Sequence, residues 1–207
     1  MVAHSSVGND PHRTLTFVTS EMMDGMENFE IVGLVVSPLH RMEGRPADGI
    51  TPYDGVEGVD SATVRAHLGI VGDRFFNTKF TYASVTFISE EAIHELEGTF
   101  GAGPFDPALA RRNVITRGID VDALARTTFT IETDAGAIGF RSLTPANPCA
   151  WMNEVFTPGA HQALRGHAGI RAEPLSDGIL RLGPARLTEV TPIPPGELRQ
   201  RVQSAPA

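Results

Sequence analysis

Phe129-Thr130-Ile131-Glu132-Thr133-Asp134-Ala135-Gly136-Ala137-Ile138-Gly139-Phe140-Arg141-Ser142-Leu143 is the stretch on which the fold reading turns. Phe129 to Ile131 and Ile138 to Leu143 read as strands, and Thr133-Asp134-Ala135-Gly136 between them reads as a glycine-bearing hairpin turn. The same grammar recurs on both sides. Upstream, Thr14 to Thr19, Glu30 to Val36, Thr63 to Val71 and Ser84 to Ile88 are short and rich in β-branched residues. Glu30 to Val36 is continuous enough to be a strand buried on both faces. Downstream, Gly169 to Glu173, Ile179 to Leu182 and Arg186 to Val190 read as strands, with Asp177-Gly178 as a hairpin turn. Helices are few and short. Ser89 can cap one, with Glu90 and Glu91 in its first turn, Ala92, Ile93 and Leu96 on one face, and Gly98 as its stop. Pro107 to Ala110 and Val121 to Leu124 are single turns, and Ala150 to Phe156 and Ala160 to Leu164 are short helices. About nine short strands without a regular strand-helix alternation predict an α+β, predominantly β protein. Its expected form is a mixed or antiparallel sheet or barrel with short peripheral helices.

The chain has 207 residues, enough for one domain with a sizeable core. Residues 1–28 form a polar extension with one possible strand, residues 29–191 the barrel domain, and residues 192–207 a polar, proline-containing tail. Met22, Met23 and Met26 in the extension read as packing residues. Arg41 to Asp60, rich in Gly, Pro and Asp, reads as a surface loop of roughly 20 residues, long for a compact domain and so functional or disordered. The formal charge is −8, and no block of basic residues suggests a nucleic-acid face. Lys79 is the only lysine, so nearly all positive charge is arginine, whose planar fork suits phosphate and carboxylate. Neither a signal peptide nor an apolar run of membrane-spanning length is evident. One cysteine excludes an intrachain disulfide and favours a reducing, cytoplasmic setting.

That cysteine lies directly beyond the hairpin, in Asn147-Pro148-Cys149-Ala150-Trp151-Met152, beside the only tryptophan. A chain segment feeding a helix N-terminus is a place where a thiol becomes reactive. A lone cysteine is also a common small core residue, so Cys149 is either packing or chemistry. Trp151 reads as core. Arg111-Arg112-Asn113 stands before the strand that starts at Val114. Strand alternation would set Arg111 and Asn113 on one side and Arg112 on the other, giving a pocket wall a donor fork and an amide. A surface arginine pair with Asn113 in a turn fits the spacing equally well. The strand running into the Ser89 helix start is a possible anion site or simply a cap. Asp73 reads as the organiser of a glycine-bounded turn. A serine hydrolase lacks its Gly-x-Ser-x-Gly elbow, and the seven histidines show no zinc spacing. His161 reads as surface. His167 is a possible pocket residue, and a Cys149–His167 hydrolase would lack an identifiable third member.

Taken in order, several motifs resemble the MOSC domain, named for the C-terminal part of molybdenum cofactor sulfurases. They are Gly72-Asp73-Arg74; the Ser89-Glu90 strand-to-helix start; Arg111-Arg112-Asn113-Val114 with Gly118-Ile119-Asp120; Pro148-Cys149; and Leu164-Arg165-Gly166-His167-Ala168-Gly169-Ile170-Arg171-Ala172, leading to Gly178-Ile179-Leu180-Arg181-Leu182-Gly183. The resemblance implies a MOSC-type β-barrel holding a molybdenum cofactor of the molybdopterin type. It implies Cys149 as sulfur carrier or molybdenum ligand, and Arg111, Asn113, Ser89 and Arg171 as cofactor-binding residues. The implied activity is sulfur transfer or reduction of N-hydroxylated substrates, as a sulfur transferase or molybdenum-dependent oxidoreductase. A separate electron-donor or sulfur-donor protein would be needed, because no flavin or iron–sulfur motif is present. A non-redox persulfide carrier, or a binding module for another anionic small molecule, is the competing expectation. Nothing resembles the pyridoxal-phosphate part of full sulfurases, so that route to sulfur is not expected. Gly183-Pro184 replaces the usual closing Gly-Asp, and Phe75-Phe76 follows Gly72-Asp73-Arg74.

Overall fold

A computed structural model describes residues 27–198. The expected strand at Thr14 to Thr19, the three methionines of the extension and the end of the tail lie outside the described residues.

The described residues form ten strands: β1 (Glu27–Leu34), β2 (Ser61–Arg65), β3 (Gly69–Ile70), β4 (Val85–Ser89), β5 (Val114–Arg117), β6 (Thr127–Thr133), β7 (Gly136–Pro145), β8 (Ile170–Pro174), β9 (Gly178–Arg181) and β10 (Gly183–Pro192). Seven of them close a barrel in the order β1-β10-β6-β7-β8-β4-β5, with β5 returning to β1. Every pairing in the barrel is antiparallel except β4 with β5. A parallel pair needs a crossover, and the helix α1 (Glu90–Phe100) supplies it. The hairpin read from the sequence is the β6–β7 pair, with Phe129 opposite Phe140 and Ile131 opposite Ile138.

Alternation fills the barrel. Phe29 and Ile31 from β1, Phe129 and Ile131 from β6, Ile138 and Phe140 from β7, and Ala185 and Leu187 from β10 point inward. Phe87, Phe129 and Phe140 meet at its centre with ring centroids 5.2–5.9 Å apart. The strands β4 and β5 are buried on both faces. Val85, Phe87 and Val114 face the barrel interior, while Ile88 and Ile115 face outward. Against that outer face pack α1 and two shorter helices, α2 (Trp151–Val155) and α3 (Ala160–Ala163), through Ile93, Leu96, Trp151, Met152, Ala160 and Leu164. This second core fixes where α2, and the cysteine just before it, sit on the barrel.

The structure corrects three local readings. Thr63 to Val71 is not one strand but the tight β2–β3 hairpin, turned at His67 with φ 61°. Asp177-Gly178 does not return β8 onto itself. β9 leaves the barrel and pairs with β2 in a small sheet ordered β3-β2-β9, and the Asp177 carboxylate accepts from the Ala66 N–H at 2.8 Å and from Arg65 at 2.7 Å. The helix α1 passes through Gly98 and stops at Gly101, whose left-handed φ of 60° ends it. No helix among the described residues is long and apolar enough to cross a membrane.

Candidate functional site

Where β7 ends, Ala146 donates its N–H to the Gly169 carbonyl at 2.7 Å, which ties the segment carrying Cys149 to the start of β8. Buried Trp151 and Met152 anchor the other end of that segment in the outer core. Between these anchors Cys149 is exposed. It lines a cavity of about 350 Å³, within the range of small-molecule sites. The guanidinium-bearing side chains of Arg41, Arg74, Arg111, Arg112 and Arg171 line the same cavity, and among the described residues no carboxylate does. His40, Phe75, Phe80 and Tyr82 add a ring-bearing wall. In a chain of net charge −8, such a concentration of arginine makes a local anion trap.

The arginines are not equivalent. Arg111 caps the turn Pro107–Ala110 in a left-handed conformation, φ 57°. Its guanidinium grips both oxygens of Glu57 at 3.0 Å, and it also donates to the Leu39 carbonyl at 3.3 Å. Arg41 donates to the same Glu57 at 2.6 Å. The long loop after β1 is thereby stapled to the barrel end. Arg74 follows the β3 turn and pairs with Asp73 at 3.5 Å, with its guanidinium carbon 4.9 Å from the Phe75 ring centre. Its Nε is buried without a partner. Burial lowers the Arg74 pKa, Asp73 works against that, and Arg111 adds to it. Arg112 donates only to carbonyls, those of Ala168 at 3.2 Å, Ala110 at 3.3 Å and Asn147 at 3.5 Å. Burial, and then the neighbouring charge of Arg171, push its pKa down to about 10, which leaves it cationic at neutral pH.

Burial raises the Glu57 pKa, but Arg111, Ser37 and Arg41 outweigh it and hold the carboxyl at about 2, below its ordinary 4.5. A depressed carboxyl contributes stability above its unfolded pKa and loses it as pH falls through the folded one. The staple is therefore expected to weaken between pH 4.5 and about 2. Its worth is about 2 kcal/mol after allowing for solvent screening. In urea unfolding at successive pH values, Glu57→Gln should flatten the acid limb of the stability curve. Equal slopes for both proteins would show that Glu57 carries none of it.

The alternation expected across Arg111-Arg112-Asn113 does not hold, because β5 begins only at Val114 and Arg111 is left-handed. Both arginines reach the cavity. Asn113 does not; it turns into the barrel wall and is 2% exposed. Its Oδ1 accepts from the Thr86 N–H at 3.0 Å and the Thr86 hydroxyl at 2.9 Å, and its Nδ2 donates to the Val35 carbonyl and to Asp73, both at 3.0 Å. Saturated inside, the amide has no bond left for a ligand. Asp73 extends this network, accepting from the Phe75 N–H at 3.0 Å and the Ser37 N–H at 3.3 Å. It organises the turn that carries Arg74, the role its glycine-bounded motif predicted.

Ser89 is the other residue the structure separates from Cys149. It makes no side-chain cap bond and lines a different cleft, with Glu91, Glu95, Asp120, Asp122 and exposed His167. Carboxylates surround the α1 start, so it repels the anion that the sequence allowed there. In that cleft burial raises the Asp122 pKa against the Gly169 N–H bond. A Cys149–His167 pair is likewise absent from the arginine-lined cavity. Sequence reasoning missed Arg74 as a cavity residue, Arg112 as a member of the wall and Glu57 as the counter-charge. Gly72-Asp73-Arg74 was the available signal for the first; nothing local marks Glu57 in its loop.

No family model and no curated protein matches the sequence. Solved structures do match in shape. The YuaD protein from Bacillus subtilis superposes with a TM-score of 0.60 at 15% identity, covering 82% of this chain and 99% of that one. YiiM from Geobacillus stearothermophilus gives 0.55 at 16% identity, over 86% and 92% of the two chains. YiiM from Escherichia coli gives 0.53 at 16%, over 78% and 70%. All three share this chain's fold. At this identity the likeness concerns architecture: a closed barrel of seven strands with a few short helices outside.

Proposed function

We propose that this chain is a MOSC protein whose arginine-lined cavity takes an anionic cofactor of the molybdopterin class. On this reading Cys149 is the sulfur carrier or the molybdenum ligand, in sulfur transfer or in reduction of N-hydroxylated substrates. One observation carries the reading: the only cysteine in the chain is exposed on the wall of a cavity lined by arginines and, among the described residues, by no carboxylate. The residues fit such a group. A thiolate is a soft ligand suited to molybdenum, and guanidinium forks suit its phosphate. Arg171 and Arg111, both named from the sequence, would face the cofactor's charge together with Arg74 and Arg112. When bound, the metal would supply two-electron redox chemistry. The chain's residues hold the anion, present the thiol and keep carboxylates at a distance. Electrons or sulfur would come from a separate donor protein, in a reducing cytoplasm that keeps Cys149 a thiol.

The exposure of Cys149 also favours a second reading, a persulfide carrier without redox turnover. Here the Cys149 thiolate attacks the outer sulfur of a donor protein's persulfide. A new S–S bond forms at Cys149, and the donor cysteine leaves as thiolate.

The test is metal and pterin content after co-production with cofactor synthesis. Wild-type protein should carry molybdenum and pterin, and Cys149→Ser at least tenfold less. Wild-type protein without either would sink the cofactor reading. Intact mass then separates the second: an adduct of about 32 Da, removed by dithiothreitol and missing from Cys149→Ser, identifies the persulfide carrier.

A further inference from the structure

The charges around the cavity sort the arginines into two classes. Arg111 and Arg41 share the Glu57 carboxylate, and Arg74 faces Asp73. Arg112 and Arg171 form no ion pair among the described residues; Arg112 donates to the three carbonyls that aim it, and the Asp122 carboxylate favours its charge only from beyond contact distance. The two line the same cavity as Cys149, and the Arg171 charge disfavours the charge on Arg112 while Cys149 favours it. Two unmatched like charges beside a cavity raise the free energy of the empty protein, and an arriving dianion relieves both the repulsion and the desolvation. Arg112 is clamped between the Pro107–Ala110 turn and β5, and Arg171 sits on β8 opposite Thr86.

We propose that Arg112 and Arg171 form the subsite for a tetrahedral oxyanion, of the phosphate or sulfate class, next to Cys149. Arg111, Arg74 and Asn113 are positioning residues that brace the cavity wall. The proposal rests on the reading of this cavity as an anion site and departs from it on the contact residues. The resemblance points to Arg111 and Asn113, both of which the fold has already committed elsewhere. The oxyanion can be a free ion or the monoester group of a larger ligand. Phe75, Phe80 and Tyr82 on the cavity wall offer the apolar part of a monoester a surface.

The only cysteine provides a reporter, since alkylation can occur on no other thiol. Full-length protein is treated with iodoacetate or iodoacetamide at low ionic strength, with and without inorganic phosphate or phenyl phosphate. In wild type, saturating phosphate should slow alkylation, and the anionic reagent should be favoured over the neutral one. Arg112→Gln and Arg171→Gln should each weaken protection at least tenfold and lower the iodoacetate-to-iodoacetamide rate ratio. Arg165→Gln, an exposed arginine outside the cavity, serves as the control and should change neither. Tighter protection by phenyl phosphate assigns the subsite to a monoester; equal protection assigns it to the free ion. No protection in wild type, or unchanged protection in both folded variants, overturns the proposal. The rate ratio is read without any ligand, so it remains informative if a variant binds nothing. Molybdenum content is measured separately, so failure of the cofactor reading leaves this result standing, and the reverse.

Discussion

Gly169→Ala is expected to abolish cooperative folding. Gly169 has φ 83°, and a Cβ built there would lie 1.8 Å from the Phe87 carbonyl oxygen and 2.8 Å from its carbon. Those are backbone atoms of β4, a strand buried on both faces, so nothing can yield without breaking the β4–β8 pairing. The same residue donates its N–H to Asp122 at 2.9 Å and accepts from Ala146 at 2.7 Å, so it joins the Cys149 segment to β8. A loss of more than about 5 kcal/mol is comparable to the whole stability of a domain. The measurement is soluble yield together with the thermal transition. Gly166→Ala is the control: its φ is 87°, but a Cβ there meets nothing within 4 Å. It should cost only the left-handed penalty, about 1–2 kcal/mol. Similar behaviour of the two variants would remove the clash from the explanation.

Asn113→Ala is expected to cost about 3–5 kcal/mol, because its buried amide holds four bonds and its removal strands groups that water cannot reach. The Thr86 N–H, the Val35 carbonyl and Asp73 would each lose a partner. Asn113→Asp should be no better, since it would set a second carboxyl where Nδ2 now donates to Asp73. Denaturant unfolding measures the loss. It separates two roles that a binding assay would confuse: a residue that contacts a ligand changes affinity at constant stability, whereas Asn113 should change stability first. A variant within about 1 kcal/mol of wild type would return Asn113 to the list of direct contacts.

The strands β6 and β7 were legible because each announces its own burial. Phe129, Ile131, Ile138 and Phe140 alternate with polar residues, and a glycine turn sits between them, so the β6–β7 pair needs no distant information. The two single turns at Pro107–Ala110 and Val121–Leu124 were also legible, and the structure shows what starts them: the carboxylates of Asp106 and Asp120 accept the first turn N–H groups. The Asp177-Gly178 turn was misread for a related reason. Its residues favour a tight turn, but the partner of the strand that follows is chosen by β2, more than 100 positions away, through Asp177 and Arg65.

At the site the division is sharper. The sequence supplied a single thiol next to a helix start and a surplus of arginine over lysine. Those facts, and the ordered motifs, narrowed the chemistry to a soft nucleophile near anion-binding forks. Which arginines keep an unspent charge is a pairwise property, and the pairs span the chain: Glu57 with Arg111, Asp73 with Arg74 and Asn113. Residue types set what each group can do; only closure of the barrel decided which groups had already done it. Coulomb attraction and hydrogen bonding act over a few ångströms, and that proximity is written in the folded chain rather than along its length.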